Sequence, residues 1–181
     1  MPTNIEIKAV LSNWATAETV ATRLSGGAPE VMQQVDVFFR SGSARLKLRI
    51  FGPQWGELIR YQRSNRPEAR ASQYSRARTS DPQVLCDILS HTLGMIGTVR
   101  KTRHLFLIGQ TRVHLDQVEG LGDFLELEVV LRPEQSEVEG QQIMSGLLAD
   151  FGIQPAQLVA EAYIDLLGAK GTTPLSAGRL L

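Results

Sequence analysis

The sequence predicts an α+β fold on three observations. Most of the chain alternates polar and apolar residues in short runs, turn residues separate those runs, and helical spacing is confined to a few segments. Residues 4–11 alternate as a first strand. Ser12-Asn13 then supplies a capping residue, and residues 14–24 read as a helix ended by Gly26-Gly27. Residues 31–39 and 44–51 are the second and third strands, the latter entered through Ser41-Gly42-Ser43. Gly52-Pro53 marks a turn before a fourth strand over 56–63, and residues 64–70 with Pro67 read as an exposed loop before a fifth strand over 71–78. Asp81 as N-cap and Pro82 in the first turn open a helix that runs to Leu93.

The sixth strand covers 98–108. Residues 110–131, QTRVHLDQVEGLGDFLELEVVL, form a hairpin that supplies the last two. Ser136 with Glu139 three residues on has the form of a capping box for a helix over 136–151. A short C-terminal piece follows over 156–167, and residues 169–181, rich in Gly, Thr and Ser, read as a loose tail. No internal repeat or boundary divides the chain, so residues 1–168 are expected to be one domain.

Composition excludes several classes. The 181 residues carry 19 basic and 19 acidic side chains, so no net charge draws the chain to nucleic acid or to a membrane surface. No apolar run approaches the ~20 residues of a membrane span. The first residues, MPTNIEIKAV, lack the apolar centre of a signal peptide. The one cysteine, Cys86, sits in a helical pattern among Leu85, Ile88 and Leu89 and reads as a buried, inert thiol. A cytoplasmic protein that binds neither nucleic acid nor membrane is the expectation, with a homodimer through its outer faces allowed.

The charges that remain are unusually ordered. Glu6 and Lys8 alternate with Ile5, Ile7 and Ala9; Arg45, Lys47 and Arg49 alternate with Leu46, Leu48 and Ile50. Lys101 and Arg103 share a face, as do Arg112, His114 and Asp116, and as do Glu126 and Glu128. Five strands thus present a charged face opposite an apolar or mixed one. Two arrangements satisfy this pattern. An open sheet could turn the charges to water, or eight strands could close into a barrel with a charged interior, where each charge needs a partner, a metal or a charged ligand.

The motifs IEIK, RLKLR, VRKTR, HLDQVEGLGDFLELE and AYIDLL occur in that chain order. In this the chain resembles the CYTH superfamily, the triphosphate tunnel metalloenzymes that include class IV adenylyl cyclases, thiamine triphosphatases and inorganic triphosphatases. The resemblance spans about residues 4–168. QVDVFF, RLKLR and ELIRYQR look closest to the class IV adenylyl-cyclase-like branch. It implies an eight-stranded antiparallel β tunnel with a charged interior and helices packed outside, acting on a small (poly)phosphate with Mg²⁺ or Mn²⁺.

A triphosphate needs several fixed cations from different strands. Lys8, Arg45, Lys47, Arg49, Arg60, Lys101 and Arg103 are the candidates, Arg for bidentate contacts and Lys as a point charge. Glu6, Asp116, Glu126 and Glu128 are the candidate metal ligands, as hard oxygen donors. Glu6, Asp116, Glu126 and Lys101 are the candidate catalytic residues. Arg60 and Arg63 lie on opposite faces of their strand, so regular alternation sends at most one inward. His114 has inward parity and reads either as a structural residue or as a base. Ser72 and Tyr74 are placed to select the non-phosphate part of a substrate, and Trp14 and Trp55 read as packing or loop residues.

One position departs from the resemblance. The superfamily's Glu-x-Glu-x-Lys signature begins here with Asn4, which offers a carbonyl but no charge. Three functions follow: hydrolysis of a nucleoside, organic or inorganic triphosphate; cyclisation of ATP to cyclic AMP and pyrophosphate; or phosphate binding or diphosphate-ester chemistry in a site altered at Asn4.

Overall fold

Alternation and capping both carry through to the folded chain, seen here in a computed structural model that describes residues 4–62 and 70–170, the side chains of 70–73 excepted. The strands are β1 (Asn4–Val10), β2 (Glu30–Phe39), β3 (Arg45–Gly52), β4 (Trp55–Gln62), β5 (Arg70–Thr79), β6 (Met95–Ile108), β7 (Thr111–Val118) and β8 (Gly122–Val130). They pair antiparallel in the ring β1-β5-β4-β3-β2-β6-β7-β8, and β8 returns to β1 through seven register pairs from Asn4↔Val130 to Val10↔Phe124. The barrel is closed, as the resemblance implies, so the eight strands have no unpaired edge along the ring.

Four helices pack outside: α1 (Trp14–Ser25), α2 (Pro82–Leu93), α3 (Glu137–Asp150) and α4 (Tyr163–Ala169). Their starts follow the sequence signals. Asn13 accepts from the Thr16 N–H, Asp81 accepts from Val84, and Ser136 and Glu139 form a reciprocal capping box.

Most of the apolar core lies between the barrel wall and these helices; a third cluster, which includes inward-facing Phe38 and Val99, closes one end of the barrel against α4. Outward-facing Ile5, Ile7, Phe106, Val113, Leu115, Leu125 and Leu127 pack under Ala17 and Ala21 of α1 and Met144 and Leu147 of α3. Val35, Val37, Leu48 and Ile50 pack under α2, where Cys86 is buried and free and burial pushes its thiol up, the inert state expected of it. Two glycines permit this close approach. A Cβ on Gly140 would come within 2.6 Å of Leu131 and 2.9 Å of Ile5, and one on Gly56 within 2.9 Å of both the Arg49 carbonyl and Pro82.

Two expectations need adjusting. β6 begins at Met95 rather than at 98, because β2 continues to pair with it through Phe38↔Gly97 and, after a register shift, Phe39↔Met95. The expected C-terminal piece is a single 3-10 turn, Pro155–Gln157, followed by α4, so residue 169 is helical rather than loose. The remainder of the expected tail, from 171, and residues 63–69 of the expected loop, Arg63 included, lie outside the described residues.

Candidate functional site

Because side chains alternate along each strand, the barrel's inner face collects one parity from every strand, and that parity is the charged one. The result is a cavity of about 310 Å³, small within the range of ligand pockets. β1 contributes Asn4, Glu6 and Lys8; β3 contributes Lys47 and Arg49; β6 contributes Lys101 and Arg103; β7 contributes Arg112 and His114; β8 contributes Glu126 and Glu128. Counted over the lining residues, Lys8, Lys47, Arg49, Arg76, Lys101, Arg103 and Arg112 stand against Glu6, Asp36, Glu57, Glu126 and Glu128. With Asp116, which pairs Lys101 and Arg103 from beneath the lining, the cationic excess is one, which suits an anionic ligand.

Two buried carboxylates hold most of the basic side chains in place. Asp36 on β2 accepts from Lys47 Nζ at 2.8 Å and from Arg49 at 2.7 and 2.8 Å. Asp116 on β7, with no exposed surface, accepts from Lys101 at 3.1 Å, from Arg103 twice at 2.6 Å and from the Tyr163 hydroxyl at 3.0 Å. Burial alone would raise both carboxyl groups; Arg49 and Lys47 hold Asp36, and Arg103 and Lys101 hold Asp116, well below the usual carboxylate range. Lys47 moves in the same direction as its partner. Burial and the nearby Arg49 outweigh Asp36 and push the amine down to about 7. The bidentate arginine takes most of what Asp36 offers, and the lysine is left with one oxygen that it shares.

The neighbouring β8 side of the cavity is arranged differently. Cross-strand register places Glu128 between Glu6 on β1 and Arg112 on β7, and Glu126 between Lys8 and His114. Glu126 contacts Lys8 at 3.4 Å and is reached by Arg103; Arg112 donates to Glu128 at 2.9 Å. Burial works against ionisation of Glu126, but Lys8, Arg103 and Lys101 hold it well below its usual range. His114 Nδ1 sits 3.9 Å from Glu126 and 4.0 Å from Glu128, too far for a hydrogen bond, and has no partner among the described residues. Burial and Arg103 push this imidazole down to about 4, so it is neutral at physiological pH. One ligand atom each from His114, Glu126 and Glu128 falls within 4.8 Å of the others.

The Asn4 carbonyl oxygen, buried in the same cavity, also has no partner among the described residues. Two carboxylates and a neutral imidazole nitrogen are a donor set that fits a divalent cation.

The sequence-predicted residues divide as follows. Glu6, Lys8, Lys47, Arg49, Lys101, Arg103, Glu126 and Glu128 all line the cavity. Asp116 has the inward parity but is buried beneath its three partners and does not reach the cavity surface, so it does not join the group able to hold a cation. Arg45 has inward parity too, yet it stands apart from the cavity in a bidentate pair with Asp165 of α4, at 3.1 and 2.6 Å. Arg60 must be corrected. On β4 the residues that face inward are Glu57, Ile59 and Tyr61, and Arg60 is exposed on the outer face.

Three contributors escaped the sequence reading. Asp36, an isolated acid in the apolar run QVDVFF, was signalled by its odd placement there. Glu57 carried no such signal. Tyr163 comes from the AYIDLL motif: α4 docks at one mouth of the barrel and Tyr163 packs with Phe38, Val99 and Phe124. The Lys8 amine lies 3.9 Å from the centre of the Tyr163 ring. Trp14 packs edge-on against His104 on the outer wall, as expected of a packing residue.

The CYTH domain family profile matches residues 2–163. No curated protein matches the sequence significantly. Among solved structures, the PH1012 protein of Pyrococcus horikoshii OT3 superposes with a TM-score of 0.79 at 20% identity, over 90% of this chain and 98% of that one. A conserved hypothetical protein of Pyrococcus furiosus gives 0.78 at 16% identity, over 90% and 99%. A provisionally assigned adenylate cyclase of Vibrio parahaemolyticus gives 0.72 at 18% identity, over 91% and 97%. At these identities the structural likeness speaks for the fold. The profile match covers nearly the whole chain, and the chain belongs to the CYTH domain family.

Proposed function

We propose that the protein cleaves a phosphoanhydride bond of a triphosphate held inside the barrel with a divalent cation. The observation that carries this reading is that Lys47, Arg49, Lys101 and Arg103 line one cavity together with Glu126 and Glu128. Membership in the CYTH family supports it. The basic side chains would neutralise the phosphate oxygens, with Lys101 and Arg103 placed to stabilise charge that develops on the bond that breaks. Glu126 and Glu128, with Glu6 beside Glu128 in register, would hold the cation, whose chemistry is polarisation of a phosphoryl oxygen. In hydrolysis, water adds to phosphorus, the P–O anhydride bond breaks, and a shorter phosphate leaves with one proton released to solvent.

A second reading rests on Tyr61 and Tyr74. They are register partners on β4 and β5, and both line the cavity. Paired aromatic rings suit a substrate with an organic group, and a ribose hydroxyl rather than water would then be the nucleophile, yielding cyclic AMP and pyrophosphate from ATP.

Pure protein given tripolyphosphate or ATP with Mn²⁺ or Mg²⁺, followed by phosphorus NMR of the products, separates the readings. Orthophosphate is the expected product; cyclic AMP with pyrophosphate selects the second reading, and tight binding without turnover overturns both. Glu126→Ala should lower kcat/KM by about 10²–10³, as expected for loss of an electrostatic element from the site.

A further inference from the structure

The acidic wall differs from a simple carboxylate site in one residue, His114. Its ring is 96% buried, judged by the 4% exposure that remains, and it lines the cavity rather than the outer core. A buried imidazole nitrogen normally has a hydrogen-bond partner. Nδ1 has none among the described residues, although two carboxylate oxygens lie 3.9 and 4.0 Å away. That separation is too long for a hydrogen bond and short enough for a shared ion, since two bonds of about 2.1 Å span up to about 4.2 Å.

The other two histidines are engaged elsewhere. His104 Nδ1 contacts Glu18 at 2.8 Å, and His91 Nδ1 contacts the Asp87 carbonyl at 2.7 Å on α2. His114 is therefore the histidine that the fold delivers to the carboxylates.

We infer that His114 is a nitrogen ligand which, with Glu126 and Glu128, tunes this cavity toward a transition-metal ion of the manganese-to-zinc group rather than magnesium. The chemistry is that of donor preference. Magnesium favours an all-oxygen octahedron and keeps much of its water, whereas imidazole binds the later divalent ions well. The inference rests on the proposed cation site and specifies which ion occupies it.

Electron spin-echo spectroscopy of the Mn²⁺-loaded wild-type protein tests it without a variant. The expected result is nitrogen modulation characteristic of a directly bound imidazole. In His114→Gln that modulation should vanish while Mn²⁺ still binds, and the preference for Mn²⁺ over Mg²⁺ in a competition titration should fall by about tenfold. Bound Mn²⁺ with no nitrogen coupling in the wild type overturns the inference but leaves the carboxylate site standing. Unchanged Mn²⁺ affinity in Glu126→Ala would instead remove the cation site on which the inference rests.

Discussion

Asp36 and Asp116 are each gripped by a lysine and an arginine two positions apart on a neighbouring strand, and between them they fix Lys47, Arg49, Lys101 and Arg103. Glu126, Glu128 and His114 lie beside them on β8 and β7: Glu126 meets Lys8 and Arg103, Glu128 meets Arg112, and the His114 Nδ1 has no partner among the described residues. Both regions contain acids paired to cations; they differ in burial and in the groups beside them. Asp36 and Asp116 are buried fasteners for cations. Glu126 and Glu128 keep more exposed surface and adjoin an imidazole nitrogen without a protein partner among the described residues, which leaves that group more open to a ligand. The fastened acids keep like charges close together in a space that would otherwise drive them apart or strip their protons.

The contrast is tested most severely by stability. Asp116→Ala leaves Lys101 and Arg103 buried with their main counter-charge gone, and should cost about 3–5 kcal/mol in urea unfolding. Glu128→Ala, at a half-buried position with Arg112 able to turn to water, should cost about 1 kcal/mol or less. Equal losses would mean that both acids do the same work and would erase the distinction.

A smaller effect probes how completely Asp36 fastens its pair. The Lys47 amine is pushed down to about 7, so it loses its proton as pH rises through that value. A bound phosphate favours the charged amine, so its help to binding is present below pH 7 and lost above it. Between pH 6 and 8.5, tripolyphosphate affinity of the wild type should fall about tenfold further than that of Lys47→Met, measured by calorimetry; the variant cancels the titration of the ligand itself. The same shift has the opposite sign for stability. From pH 7 to about 10.4 the unfolded lysine keeps a proton that the folded one has released, so unfolding becomes harder as pH rises across that window. The smallest effect is expected outside the barrel: Arg60→Ala should change kcat/KM by less than about twofold.

Parity explains what could be read from the sequence and what could not. On β1, β3 and β8 the charged set and the apolar set fall largely on opposite parities, so the inner face was visible before the fold was. β4 is different. Leu58 on its outer face packs under α2 while Ile59 faces the cavity, so apolar residues occupy both sides and Arg60 could not be assigned by alternation alone. Asp116 shows a second limit. Its parity was readable, but its capture by Lys101, Arg103 and Tyr163 depends on the β6–β7 register and on where α4 docks, which are long-range facts.

The position of the apolar core has a wider consequence. A barrel whose hydrophobic contacts lie mostly on its outer skin depends little on its lumen for cohesion. Apart from the two fasteners, interior side chains can change while the helices continue to grip the same outer surface. One scaffold can thus be refitted for another ion or leaving group by a few inward substitutions. Asn4 on β1, Tyr74 and Arg76 on β5 and His114 on β7 are among the positions where such a change would alter the lining.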